Sequence, residues 1–192
     1  EIYTLSLHDA LPILASYNQG QNWFGEKIAQ QDSIFSLEFC FPNLVKTKAL
    51  KVKAKVYGKT TTSMHYDAWL NDAHIANNVS IGKPASNCYA SPSTINGQMM
   101  SDSDTLLFSL SLNNSPKASL FLDYVEIYGW RQLKRVGGMF PFRVMSSQFG
   151  QGSSVIWIQN ANAQFHLWDV TNPMAPMKLR SEERRVGKEC RA

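Results

Sequence analysis

Cysteine is scarce in this chain: three residues in 192, at positions 40, 88 and 190, with no Cys-x-x-Cys pair among them. That leaves out the zinc and redox frameworks that closely spaced thiols build. No apolar run approaches the roughly eighteen residues that a membrane helix requires. A glycine-rich phosphate loop is missing, as is any pair of carboxylates spaced for acid and base work. There are no heptads, internal repeats or low-complexity tracts, which excludes coiled coils and solenoids. Residues 10 to 15 do not read as a signal peptide, because no basic stretch precedes them and the apolar run is shorter than about seven residues.

What remains is a length suited to one domain with room for a small appendage. Both ends look foreign to it. Residues 1 to 13 and 180 to 191 resemble translations of a common short-read sequencing adapter, read on its two opposite strands. One stretch of DNA then explains both tails, so 1–13 and 180–192 are expected to be adapter-derived and are set aside as a fusion scar would be. The alternative is a genuine strand and turn at the start and a basic solvated helix at the end. Arg180, Arg184, Arg185 and Lys188 are accordingly not taken as a nucleic-acid patch. The domain proper is expected over 14–179, and a strand can have been lost at either cut.

The two tails carry −2 and +2, so the net charge of +4 belongs equally to residues 14 to 179. It resides mainly in Lys46, Lys48, Lys51, Lys53, Lys55 and Lys59, several of which alternate along an apparent strand. Such a row reads first as a solvated sheet face, since exposed strand lysines also oppose edge-to-edge aggregation, and second as an anion-binding stripe. Cys190 leaves with the tail. Cys40 and Cys88 can pair in an oxidising compartment or stay free, and the spacing does not decide between the two.

From Ser33 onward the dominant pattern has period two, the mark of strands with one dry face and one wet face. Phe35, Leu37, Phe39 and Phe41 share a face. Leu50, Val52, Ala54 and Val56 alternate with Lys51, Lys53, Lys55 and Tyr57. Met64, Tyr66, Ala68 and Leu70 alternate with His65, Asp67 and Trp69, and Leu106, Phe108, Leu110 and Leu112 with Leu107, Ser109 and Ser111. In 120 to 128, Leu120, Leu122, Tyr124 and Tyr128 are set opposite Phe121, Val125 and Ile127, which predicts a strand covered on both sides. Shorter strands are expected at 155–158 and 165–170. Breakers lie between the runs: Gly58, Asn77 with Asn78, Pro84, Asn96 with Gly97, Asn113 with Asn114, Gly137 with Gly138, and Asn172 with Pro173. The stretch from Asn77 to Ser103, rich in Ser, Asn, Pro and Gly, reads as a long surface insertion or two irregular loops. The fold class that follows is all-β, an antiparallel sandwich of jelly-roll type.

Candidate chemistry is thin. A cysteine nucleophile needs a base or a positive field to hold its thiolate, and the groups available are Cys40 and Cys88 with His65, His74 and His166. Cys40 sits inside a strand and Cys88 in a loop with no buried parallel strand before it, so no dyad is expected. His65 and His74 with Asp67 and Asp72, or Asp102 with Asp104, are the nearest approaches to metal ligands. A calcium site needs six or more oxygens, and turn or surface roles account for these residues better. No catalytic, cofactor-binding or metal residue is therefore assigned. Trp23, Tyr57, Trp69, Tyr89 and Trp130 have no obvious place in the core and form a candidate sugar-stacking set, although strands favour aromatics in any case.

Three segments in order resemble one family. They are Gly20-Gln21-Asn22-Trp23-Phe24-Gly25-Glu26 with the strand ending Phe41-Pro42-Asn43; Leu122-Asp123-Tyr124-Val125-Glu126-Ile127, continuing through Arg131 and Leu133 to Gly138, Phe140, Phe142 and Arg143; and Leu167-Trp168-Asp169-Val170-Thr171-Asn172-Pro173. Together they look like the β-rich region ahead of the peptidase domain in the sortases of the Bacteroidota type IX secretion system, gingipain-family cysteine peptidases. The resemblance implies a parent enzyme that removes C-terminal sorting signals from secreted cargo and joins the cargo to an anionic surface polysaccharide. It implies an outer-membrane-associated cell-surface location. The partners it implies are a downstream caspase-like domain, other secretion components and the polysaccharide, with no nucleic acid and no membrane span. The family's catalytic His and Cys match no position here, so the fragment itself is expected to be non-catalytic and without cofactor. The alternatives are a carbohydrate-binding jelly roll and a structural cell-surface β-domain. Trp168 is expected to cap the core, with Asp169 or Asn172 bonding turn backbone before Pro173 ends the ladder.

Overall fold

The computed structural model describes residues 25–29, 34–113, 117–138, 142, 156–162 and 164–179, and the backbone alone of 2–7, 182–184 and 189–191. Contacts group the chain into two compact units, Tyr3–Trp130 and Arg131–Ala192, the latter with Glu1–Ile2. Among the described residues every regular element is a strand.

The first unit is built from β1 (Ile2–Leu7), β2 (Lys27–Ile28), β3 (Ile34–Cys40), β4 (Leu50–Lys59), β5 (Ser63–Leu70), β6 (Ala73–Gly82), β7 (Ser91–Met99), β8 (Thr105–Asn113) and β9 (Ser119–Trp130). One sheet runs β1-β9-β4-β7, with β2 also on β9, and the other runs β3-β8-β5-β6. The registers from β2 to β9 are antiparallel. From β3 to β9 the chain changes sheet at each connection except the β5–β6 hairpin, as a jelly-roll-like sandwich does. The alternating residues explain why. Leu50, Val52, Ala54 and Val56 of β4 are buried, as are Met64, Tyr66, Ala68 and Leu70 of β5 and Leu106, Phe108, Leu110 and Leu112 of β8, and all belong to one apolar cluster between the sheets. Fully burying a large apolar side chain contributes roughly 1.5–3 kcal/mol, so these three strands alone commit the chain to stacking its sheets.

Three local expectations are corrected. The polar stretch from Asn77 to Ser103 is mostly strand: β6 continues to Gly82, and β7 pairs with β4 from Leu50↔Met99 to Gly58↔Ser91. Both are edge strands, and β7 buries only Ile95 fully, so their composition reports the solvent more than the sheet. Gly97 is no breaker; a Cβ there would stand 2.7 Å from the Ile75 Cβ, so its missing side chain lets β7 and β6 approach where the two sheets meet. In β9 the alternation is interrupted, because Lys55 pairs with Tyr124 but Val56 with Leu122, which leaves Asp123 as an extra residue. The bulge puts Leu120, Leu122, Val125 and Ile127 on the core face together and turns Phe121 to the other side against Tyr57. Strict period two divides that set.

The second unit holds β10 (Trp157–Gln159), β11 (Leu167–Asp169), β12 (Met177–Leu179), β13 (Glu182–Arg184) and β14 (Glu189–Arg191). β10, β14 and β13 form a three-stranded sheet, and β11 pairs with β12. Leu167 is buried, whereas Trp168 is 51% exposed and lies opposite Lys178, so Trp168 does not cap a core. The turn reading holds: Thr171 N–H donates to Asp169 Oδ1 at 2.9 Å and Met174 N–H to Asn172 Oδ1 at 3.1 Å. Hydrogen bonds from Thr171, its side chain first and then its backbone, hold the Asp169 carboxyl below its ordinary pKa.

Candidate functional site

The sandwich presents two outer faces, and pairing registers lay out each as a grid. On the β7-β4-β9 face, Gln98, Lys51 and Tyr128 form one cross-strand row, Asn96, Lys53 and Glu126 the next, and Thr94, Lys55 and Tyr124 a third. A shallow groove of about 420 Å³ lies over the first two rows, lined by Lys51, Lys53, Asn96, Gln98 and Tyr128 with Val52 and Gly97.

Rings and carboxylates hold the flanking cations of this face. Lys48 Nζ sits 3.8 Å from the Trp130 ring centroid, and Lys59 Nζ 3.8 Å from that of Tyr89. Lys55 Nζ lies 4.8 Å from the Tyr57 ring and 3.5 Å from Asp123 Oδ2. Hydrogen bonding to Tyr57 is the main reason the Lys55 ammonium is held above its usual pKa; Asp123 adds to it and partial burial opposes it. Lys51 and Lys53 are exposed, and Lys53 Nζ is 5.8 Å from the Tyr124 ring. Glu126, cross-strand from Lys53, instead accepts a 2.7 Å bond from the Tyr128 hydroxyl, and that bond raises the phenol's pKa.

The β3-β8-β5-β6 face is polar and largely self-satisfied. Ser36 and Ser109 share a 2.8 Å hydroxyl bond, and the Trp69 indole N–H donates to His74 Nε2 at 2.9 Å. Asp67 accepts from the Asn78 backbone and the Asn113 amide, which pins the irregular pairing of β5 with β6.

The candidate residues do not converge. Cys40 is an exposed free thiol on β3, and Cys88 is a half-buried one in the β6–β7 loop. Among the described residues no hydrogen bond joins either thiol to an imidazole, and no three His, Cys, Asp or Glu side chains are grouped to hold a metal ion. His74 is engaged by Trp69, and His166 is exposed in the second unit. Asp104 Oδ2 accepts the Asn43 N–H at 3.0 Å, a turn role. Of the five aromatics, Trp23 lies outside the described residues. Tyr57 is buried with Ala90 and Phe121, so it is no stacking platform; Tyr89 packs on that cluster, Trp130 lies under Lys48, and Trp69 is on the opposite sheet. Sequence reasoning misses the groove because its walls come from β7, which reads as loop, and from residues re-aimed by the β9 bulge. The alternating lysines are its one visible sign.

No helix among the described residues is long and apolar enough to cross a membrane. No protein-family profile matches the chain, and no curated protein matches its sequence. In fold it is similar to crystalline dimeric latent PorU from Porphyromonas gingivalis, with a TM-score of 0.78 at 12% identity, over 99% of this chain and 18% of that one. Two smaller modules align less closely. They are the CBM36-1 domain of a multidomain xylanase from the hindgut metagenome of Trinervitermes trinervoides, at TM-score 0.44, 10% identity, 68% of this chain and 98% of the other, and a CBM36 carbohydrate-binding module in complex with calcium and xylotriose, at TM-score 0.41, 9% identity, 65% and 98%. The chain thus has a PorU-like fold and spans less than a fifth of the chain that carries it.

Proposed function

We propose that this chain is a non-catalytic accessory β-domain of a type IX secretion sortase, a cell-surface cysteine peptidase whose catalytic His and Cys lie in a further domain. The observation that carries the reading is the likeness in fold to PorU, with a TM-score of 0.78 at 12% identity. The succession of segments around Trp23, Leu122 to Ile127 and Leu167 to Pro173 adds support, since they resemble the same region. The domain's task in this reading is to position or shield the neighbouring active site and to meet other secretion components or surface polysaccharide. Sequencing the source DNA past codon 179 tests it: a caspase-like segment with paired His and Cys is expected, and another β-module in its place overturns it.

A second reading, a carbohydrate-binding module, draws on Trp69, a half-exposed ring on the outer face of the β3-β8-β5-β6 sheet. A glycan array comparing the parent with Trp23→Ala, Trp69→Ala and Trp130→Ala variants tests that reading. Absence of binding by the parent removes it.

A further inference from the structure

We propose that the outer face of β7-β4-β9 receives an acidic peptide in extended conformation, lying along β4 with carboxylates of alternate residues over Lys51 and Lys53. The inference is independent of the sortase reading.

Charge comes first. The face carries Lys48, Lys51, Lys53, Lys55 and Lys59 against two carboxylates, Asp123, which pairs with Lys55, and Glu126, which accepts from the Tyr128 hydroxyl. Lys48 and Lys59, on either side of the groove, rest on aromatic rings. Lys51 and Lys53 line the groove, both exposed, and among the described residues neither forms an ion pair. Glu126 is the nearest row-mate able to neutralise Lys53, and its carboxylate is turned to Tyr128.

Spacing selects the ligand. Side chains two apart on a strand are separated by roughly 6.8 Å along one face, and an extended peptide presents alternate side chains at the same repeat. A ladder of ammonium groups on β4 therefore matches carboxylates at alternate positions of a second extended chain. A polyuronate advances by a sugar ring and its linking oxygen, a repeat that the pleat does not set. Asn96 and Gln98 on one side supply amide donors and acceptors for the peptide backbone, and Tyr124 and Tyr128 form the opposite side. The pairs are solvent-accessible, so affinity is modest and falls with salt.

The test is fluorescence anisotropy of labelled decapeptides with the 192-residue chain at low salt. One peptide alternates Glu and Thr; the other has the same composition with five Glu followed by five Thr; oligogalacturonate is the competing probe. The alternating peptide is expected to bind about fivefold more tightly than the blocked one, consistent with the loss of one or two exposed pairs. Lys51→Gln with Lys53→Gln is expected to weaken it about tenfold, while Lys178→Gln in the second unit leaves it unchanged. Circular dichroism on the same samples checks that the variants fold, as exposed positions allow. Equal affinity for the two peptides, an unaffected double variant, no binding at all, or tighter binding of oligogalacturonate than of either peptide overturns the proposal.

Discussion

Replacing Tyr66 with Phe isolates one contact between the two sheets and reads it out by pH. Tyr66 on β5 is fully buried, and its hydroxyl shares a 2.8 Å bond with Ser93 on β7, in the opposite sheet. Ser93 is half-buried, so water can replace the lost partner, and the loss at neutral pH is that of one ordinary hydrogen bond, about 0.5–1.5 kcal/mol. Burial raises the phenol's pKa, and the bond to Ser93 opposes this in part. A raised folded-state pKa means that the native chain holds its proton more tightly than the unfolded one. The corresponding stability is fully present below the unfolded value of about 10 and is lost as pH climbs through the folded value. Above about pH 10 the parent should therefore weaken relative to Tyr66→Phe by up to about 1.4 kcal/mol per pH unit, so the variant's deficit shrinks. Lysines and the other tyrosines are common to both proteins and cancel in the difference. Urea unfolding followed by tryptophan fluorescence at neutral pH and again at about pH 10 to 11 measures it. A deficit that stays constant with pH would mean that the hydroxyl is not desolvated between the sheets.

Gly97→Val forces a branched side chain into Ile75, and a loss of about 1–3 kcal/mol in urea stability is expected; an unchanged midpoint would contradict the close edge packing. Asn71 has a φ of 51°, and its side-chain oxygen accepts from the Leu107 N–H at 2.8 Å. Asn71→Gly should lose only the side-chain bonds, whereas Asn71→Ala should lose about 1 kcal/mol more for the left-handed backbone, so equal midpoints would refute the role of conformation. Native thiol labelling with mass spectrometry should modify Cys40 rapidly and Cys88 more slowly, since the latter is half-buried and 3.6 Å from Asn87 Oδ1; a Cys40–Cys88 disulfide peptide would refute the free-thiol assignment. Deleting Asp123 should be tolerated with about 1 kcal/mol lost with its ion pair, because it removes the extra residue of a bulge, whereas deleting Glu126 should unfold the chain by reversing the faces of Ile127 and its neighbours; similar midpoints for the two deletions would refute the bulge.

The central strands are legible in the sequence because the apolar residues of their core face recur without interruption. In β4, β5 and β8 every second residue is apolar and buried, and period two alone places Leu50 to Val56, Met64 to Leu70 and Leu106 to Leu112. The edge strands are not. β6 and β7 bury little on either face, so their Asn, Ser and Gly match a loop in composition, and only the pairing with β5 and β4 makes them strands. Alternation turns Tyr57 outward, correctly as to face, but Tyr89, Ala90 and Phe121 cover it there. Trp168 illustrates the opposite error, an aromatic given to the core although Leu167 beside it is the residue buried.

The same physics explains why the candidate face is harder to see than the core. A core residue is identified by its own side chain, since leaving a leucine-sized apolar surface in water is costly wherever it occurs along the strand. A groove on a sheet's outer face is a property of three strands at once and depends on which residues share a row. Here Lys51 and Lys53 are visible as a ladder, but Gln98 and Asn96 reach them only through the β4–β7 register, and Tyr128 and Glu126 through the register that β9 regains after Asp123. One extra residue thus keeps Val125 and Ile127 in the core while Tyr124, Glu126 and Tyr128 face the lysines, so the bulge serves the packing and the outer face together.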